Sequence, residues 1–155
     1  MDNINVVRVG FYVPEFKLSD TNGEIDDPVN KSDDKYTCLA FINPDKQSGK
    51  LIAELEKDLP ATASGLQLVI SVVAPVKIKQ GKKLKEDAGF SSRFFCDNDL
   101  RVGRSFSLID SISAQPLYHP VVFVVSNDRS VRYRQAFDAG GFDLQLFRSS
   151  VSELI

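Results

Sequence analysis

The chain has no tryptophan, one methionine, one histidine and two cysteines among its 155 residues. One histidine and two cysteines do not supply a His/Cys zinc site. Cys38 and Cys96 are far apart in sequence and form no Cys-x-x-Cys pair, so there is neither a disulfide framework nor a dithiol motif. No stretch approaches the apolar length of a membrane span. The opening Met-Asp-Asn-Ile-Asn-Val-Val-Arg has no basic region followed by a long apolar run, so no signal peptide is predicted. An excess of one charge is also missing, since 19 basic and 21 acidic residues leave a net charge of −2. That balance argues against a nucleic-acid or polyanion partner. No internal repeat, linker or low-complexity segment interrupts the chain. Together these absences predict a cytoplasmic protein with no metal, no cofactor and no membrane or nucleic-acid partner.

What is present suits one globular domain over 1–155. Hydrophobic residues make up 43% of the chain, enough for a core at this length. Residues 11–23 alternate loosely and close on the turn signal Asp20-Thr21-Asn22-Gly23. A polar surface loop is expected over 26–35. Tyr36–Ile42 and Leu66–Val73 are unbroken apolar runs, which suits strands buried on both faces. Between them, Leu51, Ile52, Leu55 and Leu59 share one face of a helix expected from Ser48 to Leu59, with Pro60 as its stop. Residues 76–88 are lysine-rich and read as helical. Arg93–Cys96 reads as a short strand and Leu100–Phe106 as a short helix. Val121–Val125 is a β-branched strand, Asn127–Ser130 turns the chain, and Val131–Gln135 returns as its hairpin partner. Gly140-Gly141 breaks the chain before a last helix with Leu144, Phe147, Val151 and Leu154 on one face. Strands alternating with helices predict a three-layer α/β domain with a partly parallel central sheet.

The stretch Val9-Gly10-Phe11-Tyr12-Val13-Pro14-Glu15-Phe16-Lys17-Leu18-Ser19-Asp20, followed by Gly23, resembles the opening of the peroxiredoxins, the alkyl hydroperoxide reductase and thiol-specific antioxidant family. Pro44-Asp45-Lys46-Gln47-Ser48-Gly49-Lys50-Leu51 then matches the family's Pro-x-x-x-Thr/Ser-x-x-Cys at every position but the last. Glu54 matches a glutamate often found three residues after that cysteine. Phe95-Cys96-Asp97 is similar to the family's Leu-Ser-Asp. The resemblance covers most of the chain and is best to the monomeric, bacterioferritin-comigratory branch. It implies a thioredoxin-like three-layer sandwich with a mixed central sheet flanked by helices.

The departures bear on function. The family's peroxide-attacking cysteine falls on Leu51, and its catalytic arginine, three residues before the Phe of the last long strand, falls on Pro120. Peroxide reduction needs a thiolate to attack one peroxide oxygen. In the family that sulfur sits in a helix's first turn, where backbone N–H groups favour its charge. Leu51 supplies no nucleophile, and Pro120 supplies neither charge nor donor. Ser48 keeps a hydroxyl, but a lone hydroxyl without a base is not activated. The implied site is therefore a degenerate pocket of Pro44, Ser48, Leu51, Glu54, His119 and Pro120, with Leu51 at its mouth. Its occupant would be a small ligand or a protein segment, and ordinary peroxidase activity is not expected.

Several readings remain beside this one. His119-Pro120-Val121 resembles the Ile-Pro-Thr of thioredoxins, where a cis-proline presents backbone polar groups to an extended partner. The sequence leaves cis and trans open here. His119 is read as part of the pocket rim, with general-base work as the alternative. Cys38 is read as a small buried hydrophobe. Cys96, with Arg93, Arg101 and Arg104 near it in sequence, is the candidate thiol for a thiol-dependent oxidoreductase, although Asp97 opposes a thiolate. A Cys38–Cys96 disulfide is not expected, because an intervening strand sets them about 9–10 Å apart. Lys77, Lys79, Lys82, Lys83 and Lys85 read as the solvated face of a helix. Homodimerisation is a further candidate, as in many peroxiredoxins.

Overall fold

The computed structural model describes residues 8–29, 35–62, 67–110, 117–138 and 141–154. The strands are β1 (Leu18–Asp20), β2 (Ile25–Asp26), β3 (Lys35–Phe41), β4 (Gln67–Ala74), β5 (Arg93–Cys96), β6 (Ile109–Asp110), β7 (Leu117–Tyr118), β8 (Val121–Val125) and β9 (Val131–Ala136). The helices are α1 (Lys46–Thr62), α2 (Ile78–Ala88), α3 (Arg101–Ser105) and α4 (Leu144–Ser152).

Strand β3 is apolar at both parities, so it can be stable only with both faces covered. It lies inside a seven-stranded mixed sheet of order β2-β1-β5-β4-β3-β8-β9. β3, β4 and β5 run parallel, while β8 is antiparallel to β3 and β1 is antiparallel to β5. Cys38 and Ala40 face one side, where they meet Ile52 and Leu55 of α1 and Phe147 and Val151 of α4. Leu39 and Phe41 face the other, against Phe16, Val102 of α3, Phe106 and Phe123. Phe41 lies at the centre of that second layer, with ring centroids 4.8 Å from Phe106, 5.6 Å from Tyr118 and 5.9 Å from Phe123. Each buried side chain of this size contributes about 1.5–3 kcal/mol.

The helices begin and end where the side chains provide for it. Asp45 accepts the Ser48 N–H at 2.8 Å and caps α1. Asp143 does the same for α4 through the Leu146 N–H at 3.0 Å. α2 ends on Gly89 at φ +75°, a left-handed position that glycine takes without strain.

The sequence and the structure differ in three respects. α1 starts at Lys46 and continues past Pro60 to Thr62. A proline near a helix end removes one donor, and here the helix carries that loss for two more residues. The short pair β6–β7 has no counterpart in the sequence pattern, because two-residue strands show no periodicity. The loop expected over 26–35 is not a surface feature at its start. Asp27 is buried against the Arg129 guanidinium at 2.8 Å, and the Pro28 carbonyl accepts Ser71 Oγ at 2.6 Å. The His119–Pro120 bond, which the sequence leaves open, is trans, since the described residues contain no cis peptide. Positions 30–34 of the expected loop lie outside the described residues, as do Leu66, Gly140 and 1–7.

Candidate functional site

The candidate pocket forms where β3 hands over to α1, opposite the short link from β7 to β8. Asn43 fixes that junction with both ends of its amide. Its Nδ2 donates to the Tyr118 carbonyl at 3.0 Å, and its Oδ1 accepts the Tyr118 N–H at 2.8 Å. The His119 N–H donates to the Leu108 carbonyl at 2.6 Å, and the Pro120 carbonyl accepts the Phe137 N–H at 3.1 Å. With a trans bond and its carbonyl engaged, Pro120 does not present backbone in the thioredoxin manner.

These ties hold α1 and the β7–β8 link around a depression of about 620 Å³. Ser48, Leu51, Glu54, His119 and Pro120 all line it, so five of the six expected residues come together. Pro44 does not. It lines the neighbouring groove between α1 and α2, because the helix starts two residues later and turns it outward. Leu51 is also not at the mouth. It is 7% exposed and packs with the apolar core, so it forms the floor. It is the sixth residue of α1 and so lies in the second turn, beyond the first-turn placement expected for the family's sulfur. Phe137 and Phe142 add apolar wall. Asp45, Asp110 and Asp138 and the single Lys50 supply charge. Ser48 is buried, whereas His119 and Glu54 are exposed.

Neither thiol lines this depression. Cys38 is fully buried between strands, and burial pushes its thiol up to about 12. Cys96 is buried too, and its thiol rises to about 11, first through burial and second through the charge of Asp20. Cys96 is 7% exposed, and it lines a separate small depression together with Lys17, Asp99 and Arg101. Gly81 of α2 sits directly over its sulfur, so that a Cβ there would lie 3.4 Å from Sγ. Arg93 turns away, with its guanidinium on Asp26 at 2.7 Å and over the Phe95 ring. β4 lies between the two cysteine-bearing strands, and both thiols are free.

Asn43 and Tyr118 support the pocket without being part of any sequence motif, and Asp97, present in the Phe95-Cys96-Asp97 motif, supports it without having been expected to. Asp97 is fully buried, accepts the Val102 and Gly103 N–H groups at 3.1 and 2.8 Å, and accepts Tyr118 Oη at 2.6 Å. One chain of bonds thus links α3 to β7 and on to the start of α1. Burial and the Asp97 charge push the Tyr118 hydroxyl well above its usual range. The available signals were an asparagine directly after an apolar run and an aspartate directly after β5. Among the described residues no group of three His, Cys, Asp or Glu side chains is arranged to hold a metal ion. No helix there is long and apolar enough to cross a membrane.

Comparison with solved structures identifies the fold. The peroxidoxin BcpB of Mycobacterium tuberculosis superposes with a TM-score of 0.75 at 16% identity, covering 96% of this chain and 99% of that one. A cysteine-to-serine mutant of Xylella fastidiosa PrxQ gives 0.78 at 11% identity, covering 96% and 97%. The Xanthomonas campestris bacterioferritin comigratory protein gives 0.72 at 14%, covering 90% and 91%. Its structure bears on the alkyl peroxide reduction activity of that protein. No family model and no curated protein matches by sequence. The chain has the peroxiredoxin form of the thioredoxin fold.

Proposed function

We propose that this chain is a cytoplasmic, single-domain peroxiredoxin-fold protein that binds a small ligand or a partner segment in the depression over Leu51 and does not reduce peroxides by the ordinary route. One observation carries the reading. Where the family has a nucleophilic sulfur and an arginine, Leu51 and Pro120 line one cavity, and neither offers a thiolate or a cation. The floor is apolar and the rim carries carboxylates, which suits reversible binding. Two free thiols fit a reducing compartment.

The alternative, thiol chemistry at Cys96, has less support. A sulfur that is buried, covered by α2 and raised to about 11 holds almost no thiolate at neutral pH.

The test is consumption of hydrogen peroxide and an organic hydroperoxide by the reduced protein, with dithiothreitol or thioredoxin as reductant and Cys96→Ser alongside. Consumption no faster than buffer in both proteins is the expected result. Turnover that disappears in Cys96→Ser would overturn the proposal and make Cys96 the nucleophile.

A further inference from the structure

A second concavity lies outside the depression over Leu51. α1 and α2 pack side by side and leave a groove of about 810 Å³ between their outer faces. Its bottom is apolar, formed by Pro44, Ala53, Leu84 and Ala88. Its closest crossing is at Gly49, where an added Cβ would meet the Ala88 Cβ at 2.8 Å. A side chain larger than hydrogen at position 49 would therefore force the two helices apart. α2 has 11 residues, so the groove runs for about 16 Å, or three helical turns.

The charge along the groove is uneven in a usable way. Lys46, Lys50 and Lys57 stand on one wall, at positions that share a helix face, and all three are exposed. Among the described residues none of the three has an ion-pair partner. Of the carboxylates along the groove, Asp45 is occupied as the α1 cap and Asp87 is paired with Lys83 at 3.0 Å, which leaves Glu54. Lys83 stands on the other wall, so four of the chain's eleven lysines line this groove.

We propose that this groove docks an acidic amphipathic helix from a protein partner, its small apolar ridge on Ala53, Leu84 and Ala88 and its carboxylates on Lys46, Lys50 and Lys57. A helix laid between two helices presents its ridge at the same i, i+3, i+4 spacing that lines the groove. Nucleic acid fits less well, since no aromatic side chain lines the groove for base stacking. A membrane surface fits less well too, since the surface is concave. Lys50 and Glu54 also line the depression over Leu51, so a docked helix would border that pocket as well.

The test uses the full chain and a displayed library of random peptides of about 15 residues. Selection is run on the wild type and on Lys50→Glu/Lys57→Glu, with circular dichroism confirming that the variant is folded. The expected peptides are rich in Glu and Asp, with Leu or Ala at helical spacing. They should shift backbone amide resonances of α1 and α2, and bind the variant about tenfold or more weakly. Raising salt from about 0.05 to about 0.5 M should weaken them as well. Ala53→Gln, which blocks the floor without changing charge, should weaken the same peptides. No acidic enrichment, or equal binding to the charge-reversed variant, would overturn the proposal. So would saturable binding of sodium decanoate, anionic vesicles or a DNA oligonucleotide to the groove in place of peptides.

Discussion

On the proposed reading the chemistry turns on Leu51, and a sulfur placed there is expected to be unreactive. A Leu51→Cys thiol would stand on an apolar floor below a rim bearing Asp45, Glu54, Asp110 and Asp138. Burial and negative neighbours both disfavour a thiolate. Ultraviolet thiolate absorbance should therefore place its pKa above the ordinary value of about 8.5, with no peroxide turnover. Adding Pro120→Arg supplies the missing cation from the same cavity. The double variant should titrate lower than the single one and react faster with iodoacetamide at neutral pH. A single variant that already titrates below the ordinary value would contradict this account of the pocket.

The native thiols give a prediction of opposite kind. Cys96 is raised from 9.0 to about 11 in the folded chain. A group raised on folding contributes its full stability below its unfolded value and loses it as pH climbs through the folded one. Urea midpoints should thus fall between about pH 9 and about 11, and fall less in Cys96→Ala. The difference between the two proteins is what isolates the Cys96 sulfur from every other alkaline change.

At the scale of elements, the pocket depends on bonds that join short pieces. Asp97 ties the start of the five-residue α3 to Tyr118 in β7, and Asn43 ties β7 to the start of α1. Asp97→Ala strands two N–H groups and one hydroxyl in a dry site, at about 1–3 kcal/mol for each group left unsatisfied. Urea unfolding should show a loss of several kcal/mol for Asp97→Ala and a clearly smaller one for Tyr118→Phe, which leaves both N–H bonds intact. Gly103→Ala should also destabilise, since its Cβ would fall 2.4 Å from the Tyr118 ring.

These elements were unequally legible in the sequence. β3, β4 and β8 show as apolar runs because both of their faces are covered. β6 and β7 did not show, being two residues each and too short for a periodic pattern. Five of the six expected pocket residues line one depression, and Pro44 lines the groove beside it. A motif fixes spacing along the chain, whereas the packing of the elements decides which cavity a residue lines. Asn43 and Asp97 act by capping and clasping backbone, which leaves no periodic trace. The lysines of α2 read as a solvated face. That one of them, Lys83, lines a groove depended on α1, whose lysines are not adjacent in sequence.

At the scale of the whole molecule, Arg129 closes the sheet's far side onto the N-terminal segment. Its guanidinium pairs with buried Asp27 at 2.8 Å and donates to the carbonyls of Val13 at 2.8 Å and Pro14 at 2.7 Å. It does so from a left-handed backbone at φ +71°. Removing one partner of such a pair leaves a buried charge and costs about 3–5 kcal/mol. Arg129→Ala should lose that and keep the backbone strain. Arg129→Gly should lose the pair and shed the strain, ending about 1 kcal/mol more stable than the alanine variant. Thermal or urea unfolding of the two proteins side by side reads the order, and equal midpoints would remove strain from the explanation.

The pairing of β3 with β8 matters while the chain is being made. Phe41 meets Val121 and Thr37 meets Val125, partners 80 to 88 positions apart. On a ribosome adding about 5–20 residues each second, β3 emerges several seconds before β8 exists to flank it. During that interval a strand that is apolar on both faces waits with one edge open, which is the condition for mispairing with a neighbouring nascent chain. Any slowing of elongation between the emergence of β3 and the emergence of β8 therefore lengthens this chain's exposure to holding chaperones.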